Sequence, residues 1–85
     1  MIDVEKFIAV TSSNIDAIAF DEENSDLYIS FLNKKTGSST LYKYANVTQE
    51  VFDELRDADS KGKFIHSRIK GRYEYNKVEL EETSS

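Results

Sequence analysis

The 85-residue chain has no cysteine, no proline and a single histidine. Without cysteine there is no disulfide framework, no thiolate metal site and no nucleophilic thiol. With His66 alone, any Ser/His/Asp triad would be an arbitrary pairing, and a zinc site has too few ligands. No stretch approaches the ~20 apolar residues of a membrane span, and the start, Met1-Ile2-Asp3-Val4-Glu5-Lys6, lacks the basic region and apolar run of a signal peptide. The expectation is a soluble protein of the bacterial cytoplasm. The length bounds it to one domain, expected over residues 1–80, with the acidic end 81–85 as a disordered tail. Hydrophobic residues at 39% are enough for a small core, and the charged residues are too interrupted by aromatics for disorder. A chain this short has reason to self-associate, so a dimer or higher oligomer is expected.

Periodicity divides the chain in two. Residues 14–21 and 26–33 are apolar-rich runs separated by Glu22-Glu23-Asn24-Ser25, which reads as a hairpin. In the second run Leu27, Ile29 and Phe31 alternate with Tyr28, Ser30 and Leu32. A polar connection, 33–39, carries Gly37 for a positive-φ position. A third strand, 40–47, then sets Tyr42 and Tyr44 on one face and Leu41, Ala45 and Val47 on the other. Residues 6–11 are apolar enough for a further strand.

At Thr48 the period changes to that of a helix. Thr48 is a cap, Glu50 an acid in the first turn, and Val51, Leu55 and Ala58 recur at helical spacing with Phe52 beside them. Ser60 caps a second short helix with the apolar stripe Phe64, Ile65 and Ile69, ended by Gly71. Tyr73 and Tyr75 then alternate with Glu74 and Asn76 as a closing strand or extended tail. The predicted fold is therefore α+β: an antiparallel meander of three to five strands packed with two short consecutive helices. The predicted core includes Ile18, Phe20, Leu27, Ile29, Phe31, Val51, Leu55, Phe64 and Ile69.

Two ligand motifs fail on inspection. The run from Asp21 to Asp26 lacks a calcium loop's glycine at the sixth place and its acid at the twelfth, where Leu32 stands. Gly62-Lys63 lacks the earlier glycine of a phosphate loop, that position being Asp57.

The charge distribution is the chemical anomaly. Residues 60–72 hold Lys61, Lys63, Arg68, Lys70 and Arg72 with no acid, +5; the rest of the chain, with six bases and sixteen acids, is −10. Such a segment, opening a helix whose first N–H groups face outward, would draw a phosphate group. The site predicted on this basis comprises Ser60, Lys61, Gly62, Lys63, Arg68 and Arg72, with Tyr42 and Tyr44, and nearby Tyr73 and Tyr75, as faces on which a base stacks. The competing reading is that the basic segment balances the acidic first helix, with Glu54, Asp57 and Asp59 nearby.

The ordered series Ser12-Ser13-Asn14-Ile15, Ile18-Ala19-Phe20-Asp21, Leu27-Tyr28-Ile29-Ser30-Phe31, Tyr42-Lys43-Tyr44 with Val47, Val51 and Leu55, and Ala58-Asp59-Ser60-Lys61-Gly62-Lys63-Phe64 with Ile69 and Tyr73, resembles the KTSC domain. That family takes its name from the C-terminal end of some lysyl-tRNA synthetases and also includes short stand-alone proteins of bacteria and phages. Against the family pattern, Ala19-Phe20 replaces a usual Gly-Tyr, Thr48 a usual proline, the connection 33–39 is long, and His66 stands close to a usual asparagine. The resemblance implies the α+β fold and carries no known activity. Read together, residues and resemblance lead to a non-enzymatic binding module, without cofactor or metal, for a phosphate-bearing ligand. That ligand would be a small nucleotide, such as a signalling nucleotide captured by a phage protein in evasion of host defence, or a short RNA. The alternative is a protein-interaction factor acting on a host or phage partner. A net charge of −5 weighs against non-specific DNA binding.

Overall fold

The structure, a computed structural model, describes residues 4–10 and 14–78. It is a five-stranded antiparallel sheet with strands in chain order, β1 (Ile8–Ala9), β2 (Ile15–Asp21), β3 (Asp26–Asn33), β4 (Ser38–Tyr44) and β5 (Tyr75–Val78). Between β4 and β5 the chain forms α1 (Gln49–Asp57), α2 (Lys61–Phe64) and a π-helix, Ile65–Ile69. The α+β meander with two short helices is thus as predicted. The strand expected over 6–11 forms, shortened to the two-residue β1 because a 3-10 turn, Val4–Lys6, takes its first position; Thr11 lies outside the described residues, as do Ser12 and Ser13 of the family series and the tail 81–85.

The turns are built by local hydrogen bonds. Between β2 and β3, Asp21 accepts from the Glu23 N–H (3.2 Å) and the Asn24 side-chain amide (2.8 Å), and Ser25 takes the left-handed conformation at φ 57°. The Asn24 bond, with backbone N–H donors behind it, holds the Asp21 carboxyl below its ordinary value against the opposing effect of burial. Between β3 and β4, Gly37 is left-handed at φ 76° and its N–H reaches the Asn33 carbonyl at 2.7 Å.

One sheet face carries the main core. Ile18 and Phe20 of β2, Leu27 and Ile29 of β3 and Tyr44 of β4 pack with Phe52 and Leu55 of α1 and with Ile65 and Ile69. The predicted core members Phe31, Val51 and Phe64 are half-buried against it. Val47 departs from the alternation predicted for 40–47. The strand ends at Tyr44, Asn46 turns the chain at φ 61°, and Val47 returns to the helix side, fully buried, with its N–H on the Ser25 carbonyl. Period-2 reasoning holds only while the backbone stays extended. On the opposite face Ala19, Tyr28 and Leu41 form a smaller cluster with Phe7 and Val78.

α1 begins at its predicted cap: the Thr48 hydroxyl accepts from the Val51 N–H at 3.3 Å. α2 is only four residues long before the ladder widens, with the Lys70 N–H bonding the Ile65 carbonyl at 2.7 Å. Such i→i+5 windings are rare and recur at functional sites. Gly71, at φ 80°, ends the turn and sends the chain toward β5.

Candidate functional site

β5 lies beside β4, with Tyr44 opposite Tyr75 and Tyr42 opposite Lys77. Because Tyr42, Tyr44 and Tyr75 all project from the helix-side face, their rings meet: Tyr42 and Tyr75 edge to face at 5.6 Å between centroids, Tyr44 and Tyr75 tilted at 5.4 Å. Phe31 of β3 extends the row, edge-on to Tyr42 at 5.6 Å. Offset and edge-on arrangements of this kind are the favoured ones for aromatic pairs.

The π-helix stands over this aromatic floor and leaves a cavity of about 380 Å³. The four aromatic rings line one side. Gly62, Ile65, His66 and Lys70 line the helix side, and Asn14, just before β2, completes the lining. Ile65 and Ile69 are buried; His66 and Lys70 follow each of them by one position, so the same four-residue spacing that anchors the helix brings its two polar groups together at the cavity. Both are exposed. Gly62 allows close approach of α2 to the start of β2, since a Cβ there would sit 3.3 Å from the Asn14 Oδ1. Burial raises the Tyr44 phenol above its ordinary value, helped by the neighbouring Tyr75 and Tyr42. No carboxylate is among the described residues that line the cavity.

Of the residues predicted as a site, Tyr42, Tyr44 and Gly62 come together here. The others are dispersed or engaged elsewhere. Ser60 caps α2, its hydroxyl accepting from the Lys63 N–H at 3.4 Å and its carbonyl from the Phe64 N–H at 3.1 Å. Lys61 donates to the Ala58 carbonyl at 3.0 Å. Arg68 bonds Glu54 at 3.1 Å and lies over the Phe64 ring, 5.2 Å from its centroid. Lys63 and Arg72 are exposed and do not line the cavity. For Arg68 the contacts are those of the charge-balance reading: it joins the basic segment to α1.

Tyr75, expected with Tyr42 and Tyr44 as a stacking face, lines the site too, and Asn14, Phe31, His66 and Lys70 line it without having been expected there. Lys70 was legible as part of the basic segment, whereas Tyr73, the remaining tyrosine expected as a stacking face, packs half-buried against the core and does not line the cavity. Nothing in the sequence separates His66 and Lys70 from the remaining polar residues of the segment, because their side of the helix depends on the π winding. Among the described residues no cluster of His, Asp and Glu could hold a metal ion, and no helix is long and apolar enough to cross a membrane.

Comparison with known proteins agrees with this architecture. The chain is 39% identical over 64 residues to a protein of Tsukamurella paurometabola, covering 75% of this chain and 88% of that one. It is 31% identical over 75 residues to an uncharacterized protein of Stutzerimonas stutzeri, covering 87% and 99%. The crystal structure of a KTSC domain protein from Yersinia pestis superposes with a TM-score of 0.77 at 32% identity, over 86% of this chain and 96% of that one. The family model of the KTSC domain matches residues 11–81, and the chain belongs to the KTSC domain family.

Proposed function

We propose that the protein binds a small phosphate-bearing ligand with an aromatic ring system, a nucleotide, in the cavity between the π-helix and β3, β4 and β5. The observation that carries this reading is the composition of the cavity: an aromatic floor, Lys70 and His66 opposite it, and no lining carboxylate among the described residues of a protein of net charge −5. Its volume is within the range of small-molecule sites, about 300 to 1,000 Å³. A base stacks on a tyrosine face whatever its identity. The Lys70 ammonium supplies the charge for a phosphate oxygen, and the Asn14 amide offers both a donor and an acceptor to a base edge. The phosphate is thereby moved from the start of α2 to the end of the π-helix, since the Lys61 ammonium is on the Ala58 carbonyl, the Lys63 N–H is on the Ser60 hydroxyl, and neither lysine lines the cavity.

Titration calorimetry with the common ribonucleoside 5′-monophosphates tests it. Binding is expected for wild type, and Lys70→Ala and Tyr75→Ala should each weaken it about tenfold, the factor that corresponds to losing about 1.4 kcal/mol. Both residues are exposed, Tyr75 at 55%, so circular dichroism of the variants should match wild type. If no mononucleotide binds, or if both variants bind as wild type does, the cavity is not a nucleotide site.

A further inference from the structure

The cavity does not end at Phe31. A second, more open depression of about 680 Å³ lies on its far side, lined by Phe31, Asn14, Thr40 and the turn residues Lys34 and Lys35. Asn14 and Phe31 line both spaces, so the two form one groove across the helix-side end of β3 and β4. We propose that this groove takes a segment of single-stranded oligonucleotide at least two nucleotides long, with phosphates at its two basic ends and bases on the rings between them. This rests on the nucleotide reading of the first cavity and extends it.

Three features support the extension. The first is charge: Lys70 lines the first space and Lys34 and Lys35 the second, and no described carboxylate lines either. The protein has sixteen acids, and those that flank a comparable depression, Asp21 and Asp26, belong to one on another part of the surface with Tyr28 and Lys43. A groove cleared of acids in an acidic protein focuses a positive potential where a polyanion would lie. The second is availability. Arg56 and Arg68 are paired with carboxylates, whereas no described carboxylate is within ion-pair distance of Lys34, Lys35 or Lys70. The Lys34–Lys35 turn is nevertheless held in shape, since the Asn33 side chain accepts from the Lys35 N–H at 2.9 Å and the Asn33 carbonyl from the Gly37 N–H. The third is the row of rings: Phe31, which lines both spaces, touches Tyr42 and Tyr42 touches Tyr75, so successive bases have successive aromatic partners. The bases must be unpaired for their faces to reach the rings, which excludes a duplex.

The test compares ribonucleoside 5′-monophosphates with the dinucleotides built from them that carry a phosphate at both the 5′ and the 3′ end, on wild type and on the Lys34→Ala/Lys35→Ala variant. Both lysines are in an exposed turn, so the variant should fold. A dinucleotide is expected to bind wild type at least about tenfold more tightly than its mononucleotides, because one more base stacks and one more phosphate meets a lysine. The variant should lose that advantage and keep wild-type affinity for the mononucleotide. The slope of log affinity against log salt for the dinucleotide should become shallower by about 0.7 for each phosphate that a lysine no longer neutralises. If mononucleotides bind and dinucleotides gain nothing, or if the variant leaves the dinucleotide untouched, the groove reading is refuted while the cavity reading stands. If neither binds, both fall.

Discussion

Gly62→Ala separates the shape of the cavity from the stability of the fold. Gly62 is the second residue of α2 and does not have a positive φ, so alanine fits its backbone. Removing the glycine's freedom in the unfolded chain should then stabilise the protein by about 0.4 to 1 kcal/mol. Against this, the new methyl would stand 3.3 Å from the Asn14 Oδ1, and a few tenths of an ångström must be yielded. The backbone of Asn14 is held, its carbonyl accepting from the Leu32 N–H at 3.0 Å, but its side chain is exposed and can rotate. Displacing it about 30° from its rotamer costs on the order of 0.5 to 1.5 kcal/mol. The two effects are of similar size and opposite sign, so stability should change by less than about 1 kcal/mol. For a domain of this size that is a shift in thermal midpoint below roughly 8 °C. Ligand affinity should respond more strongly, because the methyl and the displaced amide both intrude where α2 meets the cavity. Thermal unfolding followed by circular dichroism, together with the mononucleotide titration, reads both quantities on one sample. A loss above about 2 kcal/mol would show that the packing of α2 on β2 cannot yield. Unchanged affinity at unchanged stability would show that the ligand does not lie against this wall.

Leu55→Ala should cost about 2 to 5 kcal/mol in urea unfolding, because Leu55 is fully buried between α1 and the sheet; a loss under about 0.5 kcal/mol would mean that the helix face is misassigned. Replacing Arg68 and Lys63 together by alanine should lower stability by no more than about 1 kcal/mol, as expected for an exposed pair such as Arg68–Glu54, and leave nucleotide binding at wild-type level; abolished binding in a folded variant would return the phosphate site to the start of α2. Burial raises the Tyr44 and Tyr28 phenols, so the folded state holds these protons more tightly than the unfolded chain. The stability this confers is complete below pH about 10 and is lost as pH rises through the folded-state values. Tyr44→Phe should therefore flatten the fall in thermal midpoint above that pH, and an identical alkaline slope would remove Tyr44 as its cause. Sedimentation at tens of micromolar should detect self-association of this small domain; a monomer throughout would fit the two- and four-residue edge strands, which offer few backbone groups to a second copy.

The local signals in the sequence were sufficient for the elements. Alternating Leu27, Ile29 and Phe31 could only lie on one face of a strand, Thr48 capped the helix it preceded, and Gly37 and Gly71 took the positive φ that each break needed. These outcomes depend on neighbours a few residues apart, which is the range over which sequence pattern speaks. The segment of +5 was equally plain, but its meaning was not, because charge in a sequence has no direction. Tertiary packing turned Arg68 toward Glu54, while the winding of Ile65–Ile69 brought His66 and Lys70 to the cavity beside the tyrosines. The return of β5 alongside β4 set Tyr75 between Tyr42 and Tyr44, which are far from it along the chain. A site assembled from the residue before β2, from β3, β4 and β5, and from α2 and the π-helix has no local signature, since each residue in it is ordinary in its own neighbourhood and acquires its role only from the residues the fold brings opposite.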